Sequence, residues 1–199
     1  MRIAVLGASG RTGALVIARA LARGHDVGAL VRDPAAVAPA DGPVEAIAGD
    51  ARDAERVDAL LAGAEAVISA MGPSGPDPST RYSDAIGTVV SEMGTADPRR
   101  LVLSANVRVL DDRPLTGAYA GVSEEHRRAL SILRRNGPTR WTVVATRMLT
   151  DGPAAGSYDA AIEAAPPGKD IAREDFATAL LDALDRDDWV GQVVGVSGA

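Results

Sequence analysis

Ile3-Ala4-Val5-Leu6-Gly7-Ala8-Ser9-Gly10-Arg11-Thr12-Gly13 is the stretch that decides the fold of this chain. An apolar run stops at a glycine, two more glycines follow at three-residue intervals, and a helical pattern opens with Ala14-Leu15-Val16. That order is strand, tight turn, helix. A helix N-terminus presents unpaired N–H groups and the positive end of its dipole, so it attracts anions. Gly7 lets the chain turn sharply, Gly10 leaves room for a phosphate against the backbone, and Gly13 lets the helix lie close to the strand. The anion this implies is the pyrophosphate of a dinucleotide.

Outward from that turn, strands and helices alternate. The pattern predicts a helix from about Arg11 to Arg23, a strand over Asp26–Arg32, a Pro/Ala/Gly-rich connection over Pro34–Pro43, a strand over Val44–Ala48 and a helix over Ala54–Leu61. Ala66–Ala70 reads as a short strand, apolar but for Ser69, of the kind buried in parallel sheets. Gly72–Ser79 reads as a loop, Thr80–Gly94 as a helix and Arg100–Ala105 as a buried strand. Asn106–Val122 reads as a long irregular connection, with a helix from Ser123, as N-cap, to Arg135. A strand over Trp141–Thr146, a Gly/Pro-rich stretch over Arg147–Gly168, a helix over Arg173–Leu184 and a strand over Gln192–Val196 complete the pattern. The fold class expected is α/β: residues 1–199 as a single Rossmann-type domain, a doubly wound parallel sheet with helices on both faces. The long connections after Ala70, Ala105 and Thr146 leave the C-terminal ends of strands. They are expected to converge above the glycine turn as the loops that receive substrate.

Composition narrows the chemistry. A chain of 199 residues suits one domain with a full-sized core. Its formal net charge of -6 argues against nucleic acid as a partner. With no cysteine and only His25 and His126, neither thiol chemistry nor a metal site is expected. No apolar run spans a bilayer and the start already reads as a strand, so a cytoplasmic protein without a membrane partner is expected, as a monomer or small homo-oligomer. Lys169 is the only lysine.

Dinucleotide folds select NAD with a carboxylate at the end of the second strand, which accepts from the ribose 2′-OH, whereas an arginine there accommodates a 2′-phosphate. This strand ends Val31-Arg32-Asp33. Arg32 takes the selecting position and points to NADP (NADPH); the adjacent Asp33 is the alternative, as the ribose acid, although the following Pro34 suggests that it belongs to the turn. Asp50, after the third strand, either accepts from the adenine amino group or caps the following helix. The strand end Ala70-Met71-Gly72 is expected to line the cofactor's ribose.

The glycine turn, with Val31-Arg32-Asp33, Gly49-Asp50 and Ala70-Met71-Gly72, resembles the atypical short-chain dehydrogenase relatives: NmrA-like proteins and the biliverdin reductase B/flavin reductase group. Glu124-Glu125-His126, Asn136-Gly137, Thr150-Asp151-Gly152-Pro153, Gly156-Ser157-Tyr158 and Ile171-Ala172-Arg173-Glu174-Asp175 resemble the flavin reductase group in order and spacing. The resemblance implies NADPH-dependent reduction of a flavin, a tetrapyrrole or a quinone-like acceptor, with Ser104 near the nicotinamide and His126 in contact with the cofactor region. That group carries a second histidine in the loop after the sixth strand, and Met148 stands at that position here.

The usual tyrosine-dependent members pair a tyrosine with a lysine one helical turn on, which lowers the phenol's pKa for proton transfer to a carbonyl. Lys169 lies in a Pro/Gly turn, and Tyr82, Tyr119 and Tyr158 have no lysine at that spacing. Hydride transfer to a conjugated acceptor needs no such pair, because the ring takes up the electrons and solvent supplies the proton. The expected cofactor contacts are Gly7, Ala8, Ser9, Gly10, Arg11, Thr12, Gly13, Arg32, Asp50, Ala51, Ala70, Met71, Gly72, Ser104, Arg147 and Met148. Ser104 and His126 are the expected catalytic residues. Tyr119 and Tyr158 are expected to cover a planar small-molecule acceptor from loops. The other reading is a non-catalytic NADP-binding redox sensor of the NmrA type.

Overall fold

The computed structural model describes residues 1–37, 41–73, 79–95, 97, 99–111, 113, 116–117 and 119–199. Along them run β1 (Arg2–Leu6), α1 (Arg11–Ala22), β2 (Asp26–Val31), β3 (Val44–Ala48), α2 (Ala54–Leu61), β4 (Ala66–Ser69), α3 (Arg81–Met93) and β5 (Arg100–Asn106). Then follow α4 (Ala120–Asn136), β6 (Trp141–Thr146), β7 (Met148–Thr150), β8 (Tyr158–Ile162), β9 (Asp170–Ala172), α5 (Arg173–Asp182) and β10 (Gln192–Gly198). Eight strands make one sheet in the order β3-β2-β1-β4-β5-β6-β10-β8, while β7 and β9 pair beside it.

Every neighbour in the large sheet is parallel except β8, which runs antiparallel to β10. The doubly wound parallel sheet expected from the alternation is present, with one reversed strand at its edge. Both faces are covered, which explains the unalternating strands. Ile3, Ala4, Val5 and Leu6 are all 1% exposed or less. On one face Val16, Ile17 and Ala20 of α1 pack with Phe176 and Leu180 of α5 against Val5, Ile68 and Val102. On the other, Val57 and Leu60 of α2, Ile86 and Val89 of α3, and Leu130 and Leu133 of α4 cover Leu6, Val67 and Leu103. Each fully buried Val, Leu, Ile or Phe among these contributes about 1.5–3 kcal/mol of transfer free energy.

Several features depart from the reading of the sequence, the short β9 (Asp170–Ala172) among them. First, α4 starts at Ala120 and not at Ser123, which is buried inside the helix. Second, the stretch Arg147–Gly168 holds β7 and β8 and is not one long loop. Third, Tyr158 lies on β8 and donates to Asp182 Oδ2 at 2.7 Å. Burial and that bond raise its phenol pKa, and it borders neither cleft described below. Of the Gly72–Ser79 loop, residues 74–78 lie outside the described residues. So do 38–40 of the connection after β2, and 112, 114–115 and 118 of the connection after β5. No described helix is long and apolar enough to cross a membrane.

Candidate functional site

The strand-turn-helix at the N-terminus has the form its glycines require. Gly7 adopts φ +76°, and a Cβ there would stand 2.8 Å from the Met71 nitrogen. A Cβ on Gly13 would stand 2.1 Å from the Gly7 carbonyl oxygen, so α1 can approach the turn only through a glycine. Gly10 is the N-cap of α1 and donates to the Gly7 carbonyl at 3.0 Å. No side chain caps α1 and its first turn holds no acid. The N–H groups of its first turn therefore face outward with their dipole uncompensated. This cradle fits a pyrophosphate. Ala8 and Gly13 are buried beneath it and border neither cleft; they shape the turn from below.

Two clefts meet over Gly10, Ala70, Met71, Gly72 and Pro73. The smaller, of about 340 Å³, is bordered on the turn side by Gly7, Ser9 and Gly10, and farther out by Arg32, Asp50 and Ala51. It also takes in Arg52, Arg81 and Tyr82, none of which is among the expected cofactor contacts. Arg32 is exposed. Asp33 accepts from the Ala35 N–H at 3.0 Å and caps a short 3-10 turn, so its carboxylate is engaged locally. Asp50 is not the cap of α2; Asp53 is, accepting from Glu55 and Arg56. Asp50 instead accepts from the Arg52 backbone N–H and, at 2.8–2.9 Å, from two nitrogens of its guanidinium. Those bonds hold its carboxyl down at about 2.

The larger cleft, of about 1160 Å³, lies above β4, β5 and β6. Arg11, Thr12, Ser104, His126, Arg147 and Met148 all border it, as do Asn106, Arg108, Tyr119 and Arg173. The register explains why residues remote in sequence meet there: β5 and β6 run parallel with Asn106 opposite Thr146, so Arg108 and Arg147 leave adjacent strand ends. Ser104 Oγ donates to the Met71 carbonyl at 2.8 Å, joining the end of β5 to the end of β4. Its own carbonyl accepts from the Tyr82 hydroxyl at 3.1 Å. Tyr82 is 5% exposed, and burial followed by the nearby Glu125 carboxylate raises its pKa. It is therefore a neutral donor and not a base.

His126 is 7% exposed, and its ring meets that of Tyr82 edge to face with centroids 5.1 Å apart. Its Nδ1 accepts from the Asn106 N–H at 3.4 Å, which assigns the proton to Nε2. Burial pushes its pKa down to about 4, so it is neutral near pH 7. A residue of the solvated first turn would show neither feature. The next residue back, Glu125, is 1% exposed and accepts from the Tyr82 and Ser83 N–H groups at 3.0 Å each. Glu125 thus caps α3 from α4 and not the helix it belongs to. In sequence, two acids near a helix start read as partners of their own dipole, and nothing local reveals the cross-helix contact.

A family model described as NAD(P)H-binding matches residues 7–187. The uncharacterized protein YwnB of Bacillus subtilis (strain 168) is 26% identical, over 93% of this chain and 92% of its own length. Among solved structures, SP1627 of Streptococcus pneumoniae TIGR4, a candidate NADH-flavin reductase, superposes with TM-score 0.85 at 23% identity over all of both chains. ChuY of Escherichia coli O157:H7, an anaerobillin reductase, superposes with TM-score 0.83 at 24% identity over 99% of this chain and 97% of its own. At these identities the two structures share the fold with this chain.

Proposed function

This chain belongs to the NAD(P)H-binding family, and on that premise we propose that it is an NADPH-dependent reductase that passes hydride to a planar conjugated acceptor of the flavin, quinone or tetrapyrrole type. The observation that carries this reading is the pair of clefts that meet over Gly10 and Ala70–Pro73. The smaller suits the adenosine half of a dinucleotide. The larger, at about 1160 Å³, exceeds the roughly 300–1,000 Å³ typical of a single small-ligand site. It has room for the nicotinamide end and an acceptor ring together.

In this reading residues 1–199 act as one domain, with the connections after residues 70, 105 and 146 shaping the acceptor side. The N–H groups at the start of α1 hold the pyrophosphate. Arg32 takes the 2′-phosphate, with the Arg52 guanidinium fixed beside it by Asp50. Asp33, committed to its own turn, leaves the ribose without a competing carboxylate. A bound reduced nicotinamide supplies hydride. Ser104 and Tyr82 fix the floor beneath it by tying β4, β5 and α3 together. His126, neutral with Nε2 protonated, is a hydrogen-bond donor at the cleft and not a cation. The single lysine, Lys169, is exposed and borders neither cleft, so it supplies no tyrosine with a proton-transfer partner there. An acceptor whose ring delocalises the electrons, and whose proton comes from solvent, suits that site.

NADPH oxidation with FMN, riboflavin, a quinone, biliverdin and a simple ketone tests the proposal. Turnover is expected with at least one conjugated acceptor and not with the ketone. Tight NADPH binding with no turnover on any of them would replace the reductase by the sensor reading.

A further inference from the structure

We infer that the larger cleft selects an acceptor bearing an anionic arm, a phosphate or a carboxylate, and that Arg108 is the residue that reads it; the inference rests on the reductase reading above. The chain as a whole is acidic, with 27 Asp and Glu against 21 Lys and Arg. The larger cleft inverts that balance. Among the described residues it is bordered by Arg11, Arg108, Arg147 and Arg173 and by no carboxylate.

The four arginines divide into two pairs. Arg11 and Arg173 share the carboxylate of Asp151, at 2.5 and 2.7 Å, and Arg173 also donates to the Thr12 hydroxyl. They belong to the glycine-turn end. Arg108 and Arg147 rise from the ends of β5 and β6. These strands lie two and three places from β1 in the sheet, or roughly 10–15 Å at normal strand spacing. That is the acceptor end of the cleft, away from the pyrophosphate cradle. Arg147 is already steadied by the Gly168 carbonyl at 3.3 Å. Arg108 meets Asp111 only at 3.5 Å. Asp111 is taken up by Arg113, which donates to it from its backbone N–H and from two guanidinium nitrogens at 2.6–3.0 Å. Among the described residues, most of the donors of Arg108 therefore remain for a ligand.

The same cleft carries two of the four large hydrophobic side chains left exposed among the described residues, Tyr119 at 75% and Met148 at 61%. Apolar faces beside an arginine suit a flat ring with a charged arm. A neutral ring would use the faces and leave the guanidinium unmatched.

The test is equilibrium titration of the full-length protein, saturated with NADP+ so that nothing turns over, against two matched pairs. FMN and riboflavin share a ring and differ in the phosphate; biliverdin and its dimethyl ester differ in the carboxylates. The charged member of at least one pair is expected to bind about tenfold more tightly, the ~1.4 kcal/mol within reach of one charge-assisted hydrogen bond. The pair that discriminates identifies phosphate or carboxylate. Arg108→Ala should bring that ratio to within about twofold of unity, and Arg108→Lys, which keeps the charge, should retain most of it. Equal affinities within both pairs, no binding by any of the four, or an unchanged ratio in Arg108→Ala would overturn the inference. Selective binding without reduction once NADPH is supplied would overturn the reductase reading alone. Reduction of charged and uncharged members with equal affinity would overturn the charge selection alone.

Discussion

Arg32 and Asp33 are adjacent at the end of β2 and face different tasks. The carboxylate caps its own turn, whereas the guanidinium is exposed at the smaller cleft. Removing the arginine should therefore separate the two nicotinamide cofactors. Arg32→Ala is expected to weaken NADPH about 10–100-fold, the range of a charge-assisted bond to phosphate, and NADH by less than about threefold, as read by fluorescence titration. Equal losses would remove the 2′-phosphate assignment. The pH behaviour of His126 follows from its burial. Its pKa is about 4 folded, against an ordinary value of 6.5, so between those values the unfolded chain binds more protons than the folded one. Stability from this residue is full above about pH 6.5 and is lost as pH falls toward 4. Between pH 7.5 and 5 the loss should be about 2 kcal/mol in urea unfolding, and His126→Gln should lack that increment. At this scale the shape of the glycine turn and the place of Arg32 at the smaller cleft were legible because both are set by residues within a few positions. Tyr82, Arg52 and Arg108 were not, because an exposed arginine and a buried tyrosine look the same in sequence wherever the fold places them.

Two helix starts border the smaller cleft. At α1 the close approach of Gly13 to the Gly7 carbonyl leaves no room for a methyl group. Gly13→Ala is expected to destabilise the protein by about 3 kcal/mol and to abolish NADPH binding; near-normal binding would show that the turn is not the phosphate cradle. At α3 the cap comes from another element. Glu125 satisfies two N–H groups of α3 and is met by Arg128 at 3.3 Å. Glu125→Ala should cost about 2–3 kcal/mol by leaving those donors buried and unpaired, and it should loosen Tyr82, whose hydroxyl supports Ser104. Thermal melts beside the acceptor assay check both effects. Strands and helices bounded by strong local signals were read with their observed limits: Val44–Ala48 before Gly49, Ala54–Leu61 before Ala62-Gly63, Trp141–Thr146 after Gly137-Pro138. The start of α4 was placed late because Ser123-Glu124-Glu125 mimics a capping sequence while the carboxylate serves α3. β8 was missed because Tyr158-Asp159-Ala160-Ala161-Ile162 is an edge strand with one neighbour, and such a strand needs no apolar run. β7 and β9, of three residues each, are too short to leave a period.

The whole molecule brings these parts to one edge of the sheet. Parallel strands send every connection after β1, β4, β5 and β6 out on the same side, so the glycine turn, Met71, Ser104, Arg108 and Met148 meet although they span most of the chain. That convergence was readable from the alternation of elements alone. What fills the cleft was not, because the charge and shape of the acceptor end depend on side chains from three separate connections. Reduction of a conjugated acceptor by hydride without a tyrosine-lysine relay can be followed by rapid mixing under anaerobic conditions. The protein and its best acceptor among the flavins, quinones and tetrapyrroles would be mixed with NADPH or with NADPH deuterated at the nicotinamide C4, for wild type and for Lys169→Ala. Such a reaction should reduce one acceptor per NADPH oxidised, run more slowly with the deuterated cofactor, and keep rates in Lys169→Ala within about twofold of wild type. NADPH that binds and is never oxidised, or a reaction that fails without Lys169, would contradict this mechanism.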